Sequence, residues 1–244
     1  MIKKITIIGS GNIANQLGGA LLKKGIHIQQ VVARNVVSGK KLANNLHSQL
    51  ITDFKKIKIS DLIIICVNDD SIKKIVRKLP DQPMVHTSGN TAMNVFKGKQ
   101  NYGVIYPIQS IKTENNINFQ TIPICIEANS SLLKEDIRVL SNKLSNHILI
   151  VNSEKRKYIH LSAVLASNFS NYCYIMAYNI LQTQDLTFDI LKPLIEHTAK
   201  NSTKRSPTLN QTGPAIRDDK ETMKIHLSIL KNENYKKIYK LLSH

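Results

Sequence analysis

Gly9, Gly11 and Ala14 stand at the spacing G-x-G-x-x-A directly behind the apolar run Ile5 to Ile8 and directly before a helical pattern. A glycine at the first position permits a tight turn, and one at the second lets backbone come close to a bound group. A small third residue lets the next helix pack closely on the strand. That helix then aims its first N–H groups at whatever lies over the turn, which suits a pyrophosphate. The motif alone recurs by chance. Strand before, helix after and a start at residue 9 of a βαβ unit are the context that gives it meaning. Gly9, Ser10, Gly11, Asn12, Ile13 and Ala14 are accordingly the expected contacts of a dinucleotide.

Further short Ile/Val-rich runs follow at Ile28 to Val32, Leu62 to Val67, Met84 to Thr87, Val104 to Ile108 and Ile122 to Ile126, with a last one at His147 to Val151. They read as buried, parallel-type strands. Helical patterns such as Ile13, Leu17, Ala20, Leu21 and Leu42, Ala43, Leu46 separate the early ones. The fold class predicted is α/β, a doubly wound Rossmann-type parallel sheet over residues 1–152. From Ser153, a plausible N-cap, the strand signal stops. Helical patterns run from Ser153 to Gln182, Asp189 to Lys204, Lys220 to Lys231 and Glu233 to Leu242, so residues 153–244 are expected to be a smaller all-α domain.

The second strand ends Val31-Val32-Ala33-Arg34-Asn35, without the carboxylate that would read the ribose hydroxyl of NAD(H). Arg34 stands there instead, placed to pair with a 2′-phosphate, with Ser38, Lys40 and Lys41 as further contacts; NADP(H) is the cofactor predicted. The alternative for Arg34 is a solvated surface side chain. Val67 and Asn68 end a strand at the edge that passes under the nicotinamide. Asn68 or Asp69 equally reads as a helix N-cap, and both roles can hold. Ser88 and Gly89 end the next strand, with Ser88 a candidate for cofactor and substrate contact and His86 for a satisfied, semi-buried histidine.

A net charge of +17 raises the question of a nucleic-acid partner. Lysines are scattered through the chain without arginine and aromatic interleaving, so a global lysine bias is the simpler reading and no nucleic-acid partner is expected. No run of 18 apolar residues or secretory leader is visible, so neither membrane insertion nor export is expected. Cys66, Cys125 and Cys173 sit among apolar neighbours, which reads as buried, reduced thiols in the cytoplasm without a zinc or other metal framework. The long first helix of the second domain carries apolar residues on more than one face: Leu161, Val164, Leu165, Phe169, Ile175, Met176 and Ile180. A homodimer through that domain is predicted, with a compact intramolecular bundle as the alternative.

With these pieces placed, the chain resembles a bacterial family that joins a Rossmann-like NADP-binding domain to a C-terminal domain of unknown function, number 2520. The motifs that carry the resemblance are Ile8-Gly9-Ser10-Gly11-Asn12, Val67-Asn68-Asp69-Asp70, His86-Thr87-Ser88-Gly89, Tyr106-Pro107-Ile108-Gln109, His160 to Val164 with Asn168-Phe169, and Thr212 to Arg217. Where the family commonly has Arg-Gly-Asp, this chain has Arg217-Asp218-Asp219. The resemblance implies kinship with pyrroline-carboxylate reductases, ketopantoate reductases, 6-phosphogluconate dehydrogenases and deazaflavin-dependent NADP reductases. It implies an oxidoreductase moving hydride to or from a small carbonyl or imine compound bearing a carboxylate. A non-catalytic NADP(H)-binding regulator is the alternative, and exchange with a deazaflavin a third reading.

Such chemistry needs a proton donor near the reacting atom. His160 is the first candidate. At about 100° per residue, Ser167 and Asn171 fall within roughly 20° of it and Asn168 about 80° away, so Asn168 and Asn171 join it as catalytic candidates. The structural alternative for a lone helical histidine is a packing role. Arg217, beside Gly213-Pro214, is the candidate anchor for the substrate carboxylate.

Overall fold

A computed structural model describes residues 1–112 and 117–243. The described residues form an eight-stranded sheet in the order β3-β2-β1-β4-β5-β6-β7-β8. The strands are β1 (Lys4–Ile8), β2 (His27–Val32), β3 (Gln49–Ile51), β4 (Leu62–Ile65), β5 (Met84–His86), β6 (Tyr102–Pro107), β7 (Ile124–Ala128) and β8 (Ile148–Ile150). The near-continuous burial of the central strands β1 and β4 is that of strands covered on both faces. One face packs against Leu17 and Leu21 of α1 (Asn12–Lys23), Leu42 of α2 (Val36–Asn45) and Ile137 of α4 (Ser131–Asn142). The other packs against Ile72 and Val76 of α3 (Asp69–Val76) and against Phe96. The chain reverses direction of travel across the sheet between β1 and β4, the switch point where ligands bind in doubly wound sheets.

Two strands depart from the sequence reading. β7 runs antiparallel to β6, because their connection contains no α-helix among the described residues to carry the chain back to the starting edge. α4 then restores a crossover, and β8 pairs parallel to β7. β3 has only three residues, Gln49-Leu50-Ile51, and lacks the apolar run that marks its neighbours.

The chain divides into compact units at 1–167 and 168–244, fifteen residues beyond the boundary expected from the end of the strand pattern. α5 (Ser153–Ala163) belongs with the sheet because Arg156, fully buried, is bonded to the strand ends. Its N-cap is Asn152, whose side chain accepts from Lys155 N; Ser153, expected in that role, is the first helical residue. The long helix expected over Ser153–Gln182 is interrupted by a π-helical stretch, Val164–Phe169, before α6 (Ser170–Gln182). A π stretch advances by fewer degrees per residue than an α-helix. The polar stripe drawn through His160, Ser167 and Asn171 at constant pitch therefore does not hold.

The second unit contains α6, α7 (Lys192–Lys204), α8 (Lys220–Ile229) and α9 (Glu233–Leu242). Asn179 Nδ2 donates to Tyr235 Oη at 2.7 Å, and His226 Nδ1 lies 2.8 Å from Tyr239 Oη. Cys173 is exposed, unlike the buried Cys66 and Cys125, which corrects the expectation of three buried thiols; all three are free. Among the described residues no helix is long and apolar enough to cross a membrane.

Candidate functional site

At the carboxyl ends of β1, β4 and β5 the ladder aligns Ile8 with Ile65 and Ile65 with His86, so the segments that follow share one edge. Gly9 has φ +111°, and a Cβ there would stand 2.2 Å from the Cys66 carbonyl oxygen, so only glycine fits. Gly11 is the N-cap of α1 in extended conformation, and a Cβ on it would meet nothing within 4 Å. The space over the helix N-terminus is open, as a bound pyrophosphate requires. Ala14, within α1, is fully buried, and at Gly18 of the same helix a Cβ would come within 2.8 Å of Leu46. Close packing of this helix thus involves both positions.

Ser10 Oγ lies 2.8 Å from Ser38 Oγ, which ties the turn to the first turn of α2. Asn12 Nδ2 donates to the Ile111 carbonyl, and Ile13 packs on the sheet core. Arg34 is exposed just past β2, with no hydrogen bond or ion pair among the described residues. Asn68 is the N-cap position of α3 and makes no side-chain capping bond, so the capping half of its dual reading is carried by position alone. Val67 is half-buried before it.

The loop after β5 is held from below. Ser88 Oγ accepts from the N–H groups of Asn90 and Thr91, which shapes the turn and leaves the hydroxyl proton free to donate. Arg156 Nη1 donates to the carbonyls of Ser88, Gly89 and Thr91 at 2.9 to 3.0 Å. Arg156 Nη2 donates to Glu127 Oε2 and Ser153 Oγ, each at 3.1 Å. Ser153 Oγ donates in turn to Glu127 Oε2 and accepts from Met93 N. His86 is buried beneath, stacked on Phe96, and its Nδ1 accepts from Ser88 N. Burial, with the Arg156 charge second, pushes the His86 imidazole down to about 3, so it is neutral and structural at ordinary pH.

His160 lies one turn beyond Arg156 on α5, on the same face. Its Nδ1 is 3.1 Å from Tyr106 Oη, and the two rings meet edge-on. Both press on Gly89, where a Cβ would stand 2.7 Å from His160 Nδ1 and 2.7 Å from Tyr106 Cζ. Burial, then the neighbouring Cys125, raises the Tyr106 phenol above its usual range.

The family model described as domain of unknown function DUF2520 matches residues 122–244, half of the chain. The chain belongs to that family. A second model, NADP oxidoreductase coenzyme F420-dependent, matches residues 4–87 and so covers the glycine turn and the strands flanking it. The "putative NADP oxidoreductase BF3122" of Bacteroides fragilis is 35% identical, with 99% of this chain and 96% of that one covered and a TM-score of 0.92. Protein TM1727 of Thermotoga maritima is 23% identical over 98% and 97% of the two chains, with a TM-score of 0.79. A reductive aminase of Aspergillus terreus, solved with NADPH and ethyl-5-oxohexanoate, shares the fold at 14% identity, over 83% and 74%, with a TM-score of 0.67. No curated protein matches the chain.

The DUF2520 match begins two residues before β7, so it takes in the last two strands of the sheet as well as the helices that follow. In the first unit the structure brings together the glycine turn, Val67, Asn68, Ser88 and His160 at the strand ends. Asn168, Asn171 and Arg217 belong to the second unit, where all three are exposed. Beyond Arg217, Asp218 has φ +51°, a left-handed conformation that glycine adopts with least strain. Sequence reasoning passed over Arg156, Glu127 and the hydroxyl of Tyr106. The rarity of arginine, six in a lysine-dominated chain, is the signal that could have found Arg156.

Proposed function

We propose that this member of the family is an NADP(H)-dependent oxidoreductase acting on a small carbonyl or imine compound that carries a carboxylate. The observation that carries the reading is the cradle at the switch point. Gly9 keeps the turn tight, open space lies over Gly11 at the N-terminus of α1, and Arg34 stands exposed at the tip of β2 without a partner among the described residues. Gly9 to Ala14 hold the pyrophosphate, Arg34 with Ser38 takes the 2′-phosphate, and Val67, Asn68 and Ser88 border the nicotinamide end. The 35% identical relative, named for NADP, supports the same cofactor. When bound, the reduced cofactor supplies a hydride to the substrate carbon. His160 exchanges the accompanying proton.

Arg217 as carboxylate anchor, with Asn168 and Asn171 as polar partners of the substrate, completes the assignment. Arg217→Ala raises KM with kcat little changed if that role is right. The exposed Leu161, Leu165, Phe169 and Ile175 support a homodimer, and the three free thiols fit a cytoplasmic location. A constant monomer mass in light scattering over a wide concentration range overturns the dimer. The function itself is tested by titrating NADPH and NADH, then screening carbonyl and imine compounds while following NADPH absorbance. Absence of NADPH binding overturns it, and binding without turnover across broad libraries favours a regulatory protein instead.

A further inference from the structure

We propose that Tyr106 is the positioning residue for His160, holding the imidazole by Nδ1 so that Nε2 is the atom that exchanges the proton, with Gly89 as the platform that admits both rings. The proposal rests on the oxidoreductase reading for the identity of the reaction, while the pairing rests on geometry alone. Tyr106 occupies the carboxyl end of β6, parallel to β5 and therefore at the ligand edge. Its hydroxyl meets His160 Nδ1 at 3.1 Å, within hydrogen-bond range. The neighbouring strand and helix residues Val104, Cys125 and Ile159 enclose the ring of Tyr106, so its position is fixed by packing. His160 is fixed from the other side, because Arg156, one turn earlier, is locked to Glu127 and three carbonyls.

An imidazolium has two N–H donors. Nδ1–H donates to Tyr106 Oη, leaving Nε2–H for the substrate oxygen or nitrogen. When hydride reaches the substrate carbon, the C=O or C=N π pair moves to the heteroatom and takes the proton from Nε2. The ring is left neutral with its remaining proton on Nδ1, still donated to Tyr106. The phenol is unchanged, and solvent returns a proton to Nε2. Burial holds the Tyr106 phenol above its usual range, so it is a neutral partner that orients the ring. The groups facing the pair are the Arg156 guanidinium, Cys125 and Asp69. Cys125 is itself pushed up to about 11 by burial and adds no charge at neutral pH.

The first readout needs neither substrate nor cofactor. Proton NMR of the nitrogen-labelled protein at low pH is expected to show a slowly exchanging His160 ring N–H, absent in His160→Asn and lost or shifted in Tyr106→Phe. The second is kinetic. His160→Asn lowers kcat by about a hundred- to ten-thousandfold. Tyr106→Phe lowers it by up to about a hundredfold, as expected for a misplaced acid, with the KM for NADPH unchanged. Gly89→Ala reproduces the Tyr106→Phe phenotype if it displaces both rings, and thermal unfolding reports whether it still folds. A His160 ring signal indifferent to Tyr106→Phe, or a Tyr106→Phe enzyme with wild-type kcat and pH profile, overturns the proposal. A wild-type protein that binds NADPH and turns over nothing sinks the oxidoreductase reading instead, and the NMR result still decides the pairing.

Discussion

Arg156 Nη2 lies 3.1 Å from Glu127 Oε2, joining α5 to β7 through an arginine with no exposed surface and a glutamate that is 13% exposed. The guanidinium also gathers the carbonyls of Ser88, Gly89 and Thr91, so one side chain fixes both the loop after β5 and the helix that carries His160. Removing one partner of such a pair leaves a buried charge uncompensated. Glu127→Ala is therefore expected to destabilise the fold by about 3–5 kcal/mol. Arg156→Lys fails in a similar way, since an ammonium cannot span three carbonyls and a carboxylate. Urea unfolding checks both, and a loss below about 1 kcal/mol in each variant removes the clamp from the account.

What the sequence made legible was whatever local pattern determines. The strand, turn and helix around Gly9 were readable because backbone conformation, helix packing and phosphate geometry all demand small residues at fixed spacing. The runs rich in Ile and Val located most strands. β3 escaped because an edge strand of three residues needs no apolar run, and the direction of β7 escaped because direction depends on the connection. The first compact unit runs past the end of the strand pattern because what welds α5 to the sheet is a contact between Arg156 and residues 65 to 68 positions away, which no local pattern encodes. The Tyr106–His160 pair, 54 residues apart, was half visible: each residue lay in a noted motif, and the bond between them did not.

On the proposed reading, Arg34 sets the choice of cofactor. It stands exposed past β2, and no carboxylate occupies Ala33, Arg34 or Asn35. NADP(H) is expected to bind more tightly than NAD(H), and Arg34→Asp to reverse or abolish the preference by replacing a phosphate partner with a phosphate repeller. Calorimetric titration of both cofactors decides the matter. Equal affinities in the wild type, or an unchanged preference in the variant, count against it.

His86 sets an acid limit on stability. In the folded protein its imidazole is pushed down to about 3 by burial and then by Arg156, whereas in the unfolded chain it titrates near ~6.5. Between those values the unfolded state binds a proton that the folded state does not, so stability falls as the pH drops below ~6.5 and is unaffected by this group above it. From pH 7 to pH 5 its share is about 2 kcal/mol. His86→Asn keeps an acceptor for Ser88 N and removes the titration, so the variant should lose about 2 kcal/mol less than the wild type over that interval. Denaturant unfolding at the two pH values measures the difference, and parallel losses would assign the acid sensitivity elsewhere.

The two glycines of the turn should fail in different ways when replaced by alanine. At Gly9 the backbone is left-handed and a Cβ would lie 2.2 Å from a carbonyl oxygen of the adjacent β4 segment, a contact that neither backbone can relieve without parting β1 from β4. Gly9→Ala is expected to lose several kcal/mol, with folding itself at risk. At Gly11 the backbone is ordinary, with φ −80° and ψ −171°, and the added methyl meets nothing within 4 Å. Gly11→Ala should keep its stability within about 1 kcal/mol of the wild type, the modest cost of a poorer N-cap included. The methyl instead occupies the space where backbone must approach the pyrophosphate. The expected result is a Tm close to wild type with NADPH affinity weakened by about tenfold or more, the equivalent of ~1.4 kcal/mol. Thermal unfolding and fluorescence titration on the same preparation separate the two effects. A Gly11→Ala protein that binds NADPH as tightly as the wild type would mean that the open space over α1 is not where the cofactor's phosphates lie.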